Sequence, residues 1–419
     1  MELHHPLPSL GGAPLDPGNA GPERLEERLR TVGAALADAL GALLEAVPGS
    51  PHRPNPLART LGVNRAVTSR LLAAVDRGDP MEVLHLVPGP EPLRKVLAGS
   101  GLAADDRRAL AVEAAVAAFA ALIDEEAGTR PALEALLAPH LPGAAEKLEL
   151  SSRYAIHKGM TQLKGVQAEL WIGAAVIVPS TEDPERLDLT WLTGAHAMHR
   201  LRPGVDVRFS YRAQRGSAPP GAAEPMPEPS LLSLEAFCRY PVARLETHRT
   251  DGTIHYTLRD DLLGPRGKAD LFVVDHHPAA MRRYGDDEDH AAGRARTGLF
   301  VEPAIPSARL VFDVLLHDDV FPGAEPELVV YDTNYNGVAN VNDRSRDLDR
   351  VATTDHPELL GHGLERFGTA ELSTYGPMLA HLAAHFGWDG DRLRGYRVEQ
   401  AYPVYGWQVT VALQQPRRP

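Results

Sequence analysis

"AELWIGAAVIVP", residues 168–179, decides the fold class. Its Trp171, Ile172, Val176, Ile177 and Val178 are strand-forming side chains in one short apolar run, and they close a long series of helical patterns. Upstream, Leu25, Leu29, Val32, Leu36, Leu40, Leu43 and Val47 recur at three- and four-residue spacing from Pro22 to Val47, an amphipathic helix. "PGSPHRPNP" (48–56) breaks it, and further helical patterns follow near 57–72, 81–87, 90–98, 103–126, 130–139 and 143–165. Downstream, "VDVRFSYR" (205–212) alternates apolar and polar residues. "ARLETHRTDGTIHYTL" (243–258) reads as a hairpin turning at Asp251 and Gly252. Strand patterns continue in "ADLFVVD" (269–275), "ARLVFDVLL" (308–316), "ELVVY" (327–331), "YRVEQAY" (396–402) and "WQVTVAL" (407–413), with one late helix near 369–386. The expected class is α+β: a mainly helical N-terminal region followed by a strand-rich α+β domain.

At 419 residues the chain exceeds one ordinary core. A hydrophobic fraction of 43% and a charged fraction of 24% are those of a globular protein. The most apolar run, "LAVEAAVAAFAALI" (110–123), contains Glu113 and is too short for a bilayer, so no membrane is expected. Residues 1–20 are rich in Pro and Gly and read as a flexible tail without a signal peptide, and the loops 215–230 and 285–293 read as exposed. Cys238 is the single cysteine, which excludes an internal disulfide and fits a cytoplasmic protein. A net charge of −13 repels nucleic acid at long range, so any DNA contact needs a local basic island.

Residues 51–77 form such an island, with Arg53, Arg59, Arg65, Arg70 and Arg77 against Asp76. Within it, "LARTLGVNRAVTSRLL" (57–72) puts small Ala58 where two short helices would cross and Gly62 where the chain would turn. Leu57, Leu61, Val63, Leu71 and Leu72 would face a small core. The stretch resembles the helix-turn-helix of bacterial transcription regulators, whose second helix lies in the major groove. The resemblance implies a DNA-facing surface of Arg59, Asn64, Arg65, Ala66, Ser69 and Arg70 and double-stranded DNA as partner. Specific reading of two half-sites implies a homodimer, with helices 22–47 and 103–126 as candidate pairing surfaces. An apolar residue is usual in the family where this chain has Thr68, so the rotation of the second helix is open. The domains expected are a tail (1–20), a DNA-binding domain (21–100), a helical linker or oligomerisation region (101–166) and a strand-rich domain (167–419).

Other clusters suggest chemistry. "LFVVDHHPAA" (271–280) puts Asp275, His276 and His277 at a strand end, resembling the Asp-His-His signature of the phosphoesterases named for it. The upstream Asp-rich motif of that family is missing. "LLHDDVFPG" (315–323) offers His317, Asp318 and Asp319, and the two strand ends together make a candidate metal site of a hydrolase. "DTNYNGVANVND" (332–343) spaces Asp332, Asn334, Asn336, Asn340 and Asp343 as in a calcium loop and resembles EF-hand and dockerin loops; an Asn-Gly turn on a polar loop is the preferred explanation. With no nucleophile elbow, phosphate loop or dinucleotide fingerprint, no cofactor and no catalytic residue are expected. Trp171, Tyr396, Tyr402, Tyr405 and Trp407 are candidates to line a small-molecule pocket or to fill a core. A transcription regulator with a sensing, oligomerising or partner-binding second domain is the leading expectation. A metal-dependent hydrolase and a non-enzymatic scaffold are the alternatives.

Overall fold

The computed structural model describes residues 22–204, 207–213, 232, 234–250, 253–258 and 263–419. The expected tail, the loop 215–230 and the turn at Asp251 and Gly252 lie outside the described residues. The class is α+β, and the chain divides into two compact units, Met1–Leu148 and Glu149–Pro419.

The first unit is helical: α1 (Pro22–Ala46), α2 (Pro54–Leu61), α3 (Arg65–Val75), α4 (Pro80–Leu86), α5 (Pro90–Gly99), α6 (Arg107–Leu122), α7 (Arg130–Leu137) and the start of α8 (Pro142–Lys164). Starts are set locally. Proline occupies the first turn of α2, α4 and α5, where its missing N–H costs nothing. The side chains of Asn64, Asp79, Asp106 and Thr129 cap α3, α4, α6 and α7. One core holds the unit together: Leu29, Leu36, Leu40 and Leu43 of α1 are buried in it with Val112, Val116, Phe119 and Leu122 of α6. Of the segment 101–166 expected as a helical linker or oligomerisation region, 101–148 fall in this unit and 149–166 in the second. Two glycines permit close crossings: a Cβ at Gly33 would meet the Pro80 carbonyl oxygen at 2.1 Å, and one at Gly99 the Leu61 carbonyl oxygen at 2.0 Å.

The second unit carries β1 (Val166–Pro179), β2 (Arg186–Arg200), β3 (Val207–Ala213), β4 (Leu245–Thr250), β5 (Thr253–Leu258), β6 (Ala269–Arg282), α9 (Asp287–Ala291), β7 (Arg296–Val301), β8 (Ser307–His317), β9 (Glu327–Tyr331), β10 (Arg350–Val351), β11 (Glu358–His362), α10 (Tyr375–Phe386), β12 (Leu393–Ala401) and β13 (Gln408–Gln414). A six-stranded sheet runs β11-β12-β8-β1-β2-β6, a four-stranded one β10-β9-β13-β7 and a three-stranded one β3-β5-β4. β1 pairs parallel with β8 and antiparallel with β2. Its two faces serve two cores: Leu170, Ile172, Ala174 and Val176 pack with α10, whereas Trp171, Ala175 and Ile177 pack with Val301, Val409 and Val411 of the second sheet. Burial on both faces explains the unbroken apolar run from which the fold class was read. The β2–β6 ladder shifts register twice, and each shift has a left-handed alanine beside it. Ala197 (φ 53°) donates its N–H to Asp270 and Ala279 (φ 46°) to Asp188.

Candidate functional site

The α2–α3 pair presents the basic island. Gly62 ends α2 in the left-handed conformation (φ 65°), and the Val63 N–H returns to the Ala58 carbonyl at 3.0 Å. Thr68 is fully buried, its hydroxyl within hydrogen-bonding distance of the carbonyls of Pro54 (2.8 Å) and Arg65 (3.0 Å), so a polar residue fills an apolar position without an orphaned group. This fixes the rotation of α3: Leu71 and Ala74 face inward with Thr68, and Arg65, Ala66, Ser69 and Arg70 are exposed together. Arg59 is exposed on α2.

Two of the expected DNA-facing residues already have protein partners. The Asn64 Oδ1 accepts the Ala66 N–H at 2.5 Å, which ties up the acceptor that reading adenine would use. The Arg70 guanidinium donates to the carbonyls of Leu86 (3.0 Å) and Val87 (3.3 Å) at the end of α4. Arg130 donates to the carbonyls of Leu84 (2.7 Å) and His85 (2.9 Å) there, as expected for cations at a helix C-terminus. Of the expected cationic contacts, Arg59 and Arg65 have side chains that remain unengaged among the described residues.

The acid-and-histidine clusters do not converge. Asp275, His276 and His277 lie inside β6, which continues to Arg282, and not at a strand end or in a turn. Adjacent strand residues point to opposite faces: His277 meets Asp275 at 3.4 Å, while His276 turns the other way, onto the Thr190 hydroxyl (2.8 Å) and the Phe386 ring (4.5 Å). Burial lowers the His276 pKa. His317 ends β8 and Asp318 follows it; β8 lies three positions from β6 across the sheet, which is about 14 Å at normal strand spacing. Asp318 pairs with His362 at 3.1 Å. Among the described residues no group of three His, Cys, Asp or Glu side chains could hold a metal ion.

The loop 332–343 is organised around a cation from the chain itself. Arg346, buried, donates to the carbonyls of Gly337 (2.7 Å), Val338 (3.0 Å) and Asn336 (3.3 Å) and pairs with Asp349 (2.6 Å). The oxygens expected as calcium ligands close local turns: Asp332 accepts from the Asn334 N–H, Asn340 from Asn342 and Asp343 from Ser345, while the Asn336 amide donates to Asp349. A strand precedes the loop and a 3-10 turn follows it, where an EF-hand has helices.

A buried ion pair ties α10 to the large sheet. Asp313 on β8 accepts Nε and Nη2 of Arg397 on β12, both at 2.8 Å, and the Tyr375 hydroxyl at 2.8 Å. Arg397 also donates to the carbonyls of Phe367 (2.7 Å) and Gly368 (3.0 Å). Burial pushes the Asp313 carboxyl up while Arg397 and Tyr375 oppose it. No buried polar side-chain atom of Asp313, Tyr375 or Arg397 lacks a partner, so this is a satisfied structural network.

The second unit also holds an open cleft of about 750 Å³ between the large sheet and the edge of the four-stranded one. Trp171 and Tyr405, expected as pocket residues, line it; Tyr396 and Trp407 do not, and Tyr402 packs on Tyr154 at 5.0 Å. Arg208, Trp191 and Thr193 line it as well. They come from strands distant in sequence, so no local pattern marked them. Scans against protein-family models, curated proteins and solved structures each return no match.

Proposed function

We propose that the chain is a DNA-binding protein of the transcription-regulator kind, with α2 and α3 acting as a helix-turn-helix and α3 entering the major groove. The observation that carries this reading is the burial of Thr68, which turns Arg65, Ala66 and Ser69 outward as one stripe next to Arg59 in an otherwise acidic chain. Arg65 and Arg59 supply charge to phosphates or guanine edges, and the Ser69 hydroxyl a short polar contact. Arg70 holds α3 to α4, and Asn64 sets where α3 begins. On this reading the protein works in the cytoplasm as a homodimer, and the second unit serves sensing or partner contact.

The test is binding of the full chain to a fluorescein-labelled mixed-sequence duplex, followed by anisotropy at several salt concentrations. Each phosphate contact contributes a slope of about −0.9 in log K against log salt. The reading expects salt-dependent binding, and a chain that fails to bind duplex at low salt refutes it.

A further inference from the structure

We propose that the cleft in the second unit binds a flat aromatic molecule carrying a carboxylate. Three observations point to this class. The first is the wall chemistry. Trp191 is half-buried, with its ring stacked on Phe312 (centroids 6.1 Å apart, 15° between planes), and it lines the cleft. At the other end Trp171 packs against Phe209 at 5.2 Å, and both rings line the cleft. Trp191, the partly exposed ring of these, offers a face on which a planar ring can stack, while Trp171 and Phe209 are buried behind the lining.

The second is the floor. Thr193 on β2 pairs with Gly173 on β1, so the sheet carries a small pair between Trp171 and Trp191. That gap is not an accident of loose packing. Over the Gly173 half of the pair the second sheet packs closely, since a Cβ there would meet Val301 at 2.5 Å, so the room lies over Thr193, which lines the cleft. The cleft thus has room in one place and contact in the next, as in a shaped cavity of a size common for small ligands.

The third is charge. Arg208, exposed on β3, lines the cleft, and its side chain makes no hydrogen bond or ion pair among the described residues. Glu302, the acid on the lining, is engaged within the protein. Among the described lining residues the cation is therefore the Arg208 guanidinium, whose planar fork matches a carboxylate. The Trp171 indole N–H is buried without a hydrogen-bond partner among the described residues.

The inference is read on the protein alone, so it stands or falls separately from DNA binding. The full chain is titrated with benzoate, 1-naphthoate and indole-3-carboxylate and with their amides, and binding is followed by tryptophan fluorescence and calorimetry. At least one acid is expected to saturate and to bind ten times or more tighter than its amide. Arg208→Gln should bring acid and amide within about twofold of each other. Thr193→Phe, which fills the floor, should remove binding of both while near-UV circular dichroism shows an intact fold. If Thr193→Phe does not fold, the Arg208→Gln comparison decides alone. The proposal is overturned if no acid saturates, if acid and amide bind equally to the natural protein, or if Arg208→Gln keeps the preference.

Discussion

Arg397→Met tests the energetics of the second unit most sharply. The substitution removes both hydrogen bonds to Asp313 and those to the carbonyls of Phe367 and Gly368, and leaves the carboxylate with Tyr375 as its remaining donor. Breaking a buried pair from one side costs about 3–5 kcal/mol, because the other charge stays buried. We expect a loss of about 4 kcal/mol at neutral pH. The assay is urea unfolding followed by tryptophan fluorescence, which reports the second unit specifically because Trp171, Trp191, Trp388 and Trp407 all lie in it. The double variant Asp313→Leu with Arg397→Met should be more stable than Arg397→Met alone, since no charge is left unpaired. The pH dependence has a definite sign. Burial raises Asp313 and Arg397 opposes it, so without Arg397 the folded carboxyl moves further above its unfolded value. A raised carboxyl stabilises below the unfolded value and loses that stability as pH rises through the folded one, so the deficit of the variant should shrink on acidification. A loss under about 1 kcal/mol, or a double variant less stable than the single one, would refute the reasoning.

Three further outcomes are expected. Gly99→Ala should destabilise the first unit by about 2 kcal/mol or more, read as helix melting at 222 nm, because its Cβ would meet the Leu61 carbonyl at 2.0 Å; an unchanged melt means α2 and α5 do not cross as described. Added calcium should leave thermal unfolding unchanged, whereas Arg346→Ala should lower it, because the guanidinium occupies the carbonyls of the loop; stabilisation by calcium would contradict this. Cys238, pushed up to about 11 by burial with Asp270 and Glu235 adding to it, should be alkylated far more slowly at pH 8 than a free thiol, and labelling at the free rate would show that its surroundings are open.

How far the sequence could be read depended on whether the deciding contacts were local. α1 was legible because its leucines repeat with the helical period, and β1 because it is apolar on both faces. β2 was not: Thr190, Thr193, Gly194, His196 and His199 interrupt its pattern, and it is a strand because β1 and β6 pair with it on either side. Asp275, His276 and His277 looked like a cluster because they adjoin in sequence. Inside a strand adjacency separates them, and only the length of β6 reveals it. The calcium-like spacing was real as a turn pattern, but Arg346, beyond the motif, supplies the charge. Thr68 was the open position of α3, and its inward position turns on the Pro54 carbonyl, fourteen residues back, which no spacing rule records.

The central claim, that α3 is a DNA-reading helix, is tested most directly by the salt dependence of duplex binding in three variants: Arg65→Ala, Arg59→Ala with Arg65→Ala, and Arg70→Ala. The account predicts that Arg65→Ala flattens the slope by about 0.9 and the double variant by about 1.8. Both should leave helix melting within about 0.5 kcal/mol of the natural protein. Arg70→Ala should lower the melt through its lost bonds to α4 and leave the slope of the folded protein near its original value. Unchanged slopes for the Arg59 and Arg65 variants, with duplex still bound, would contradict the account.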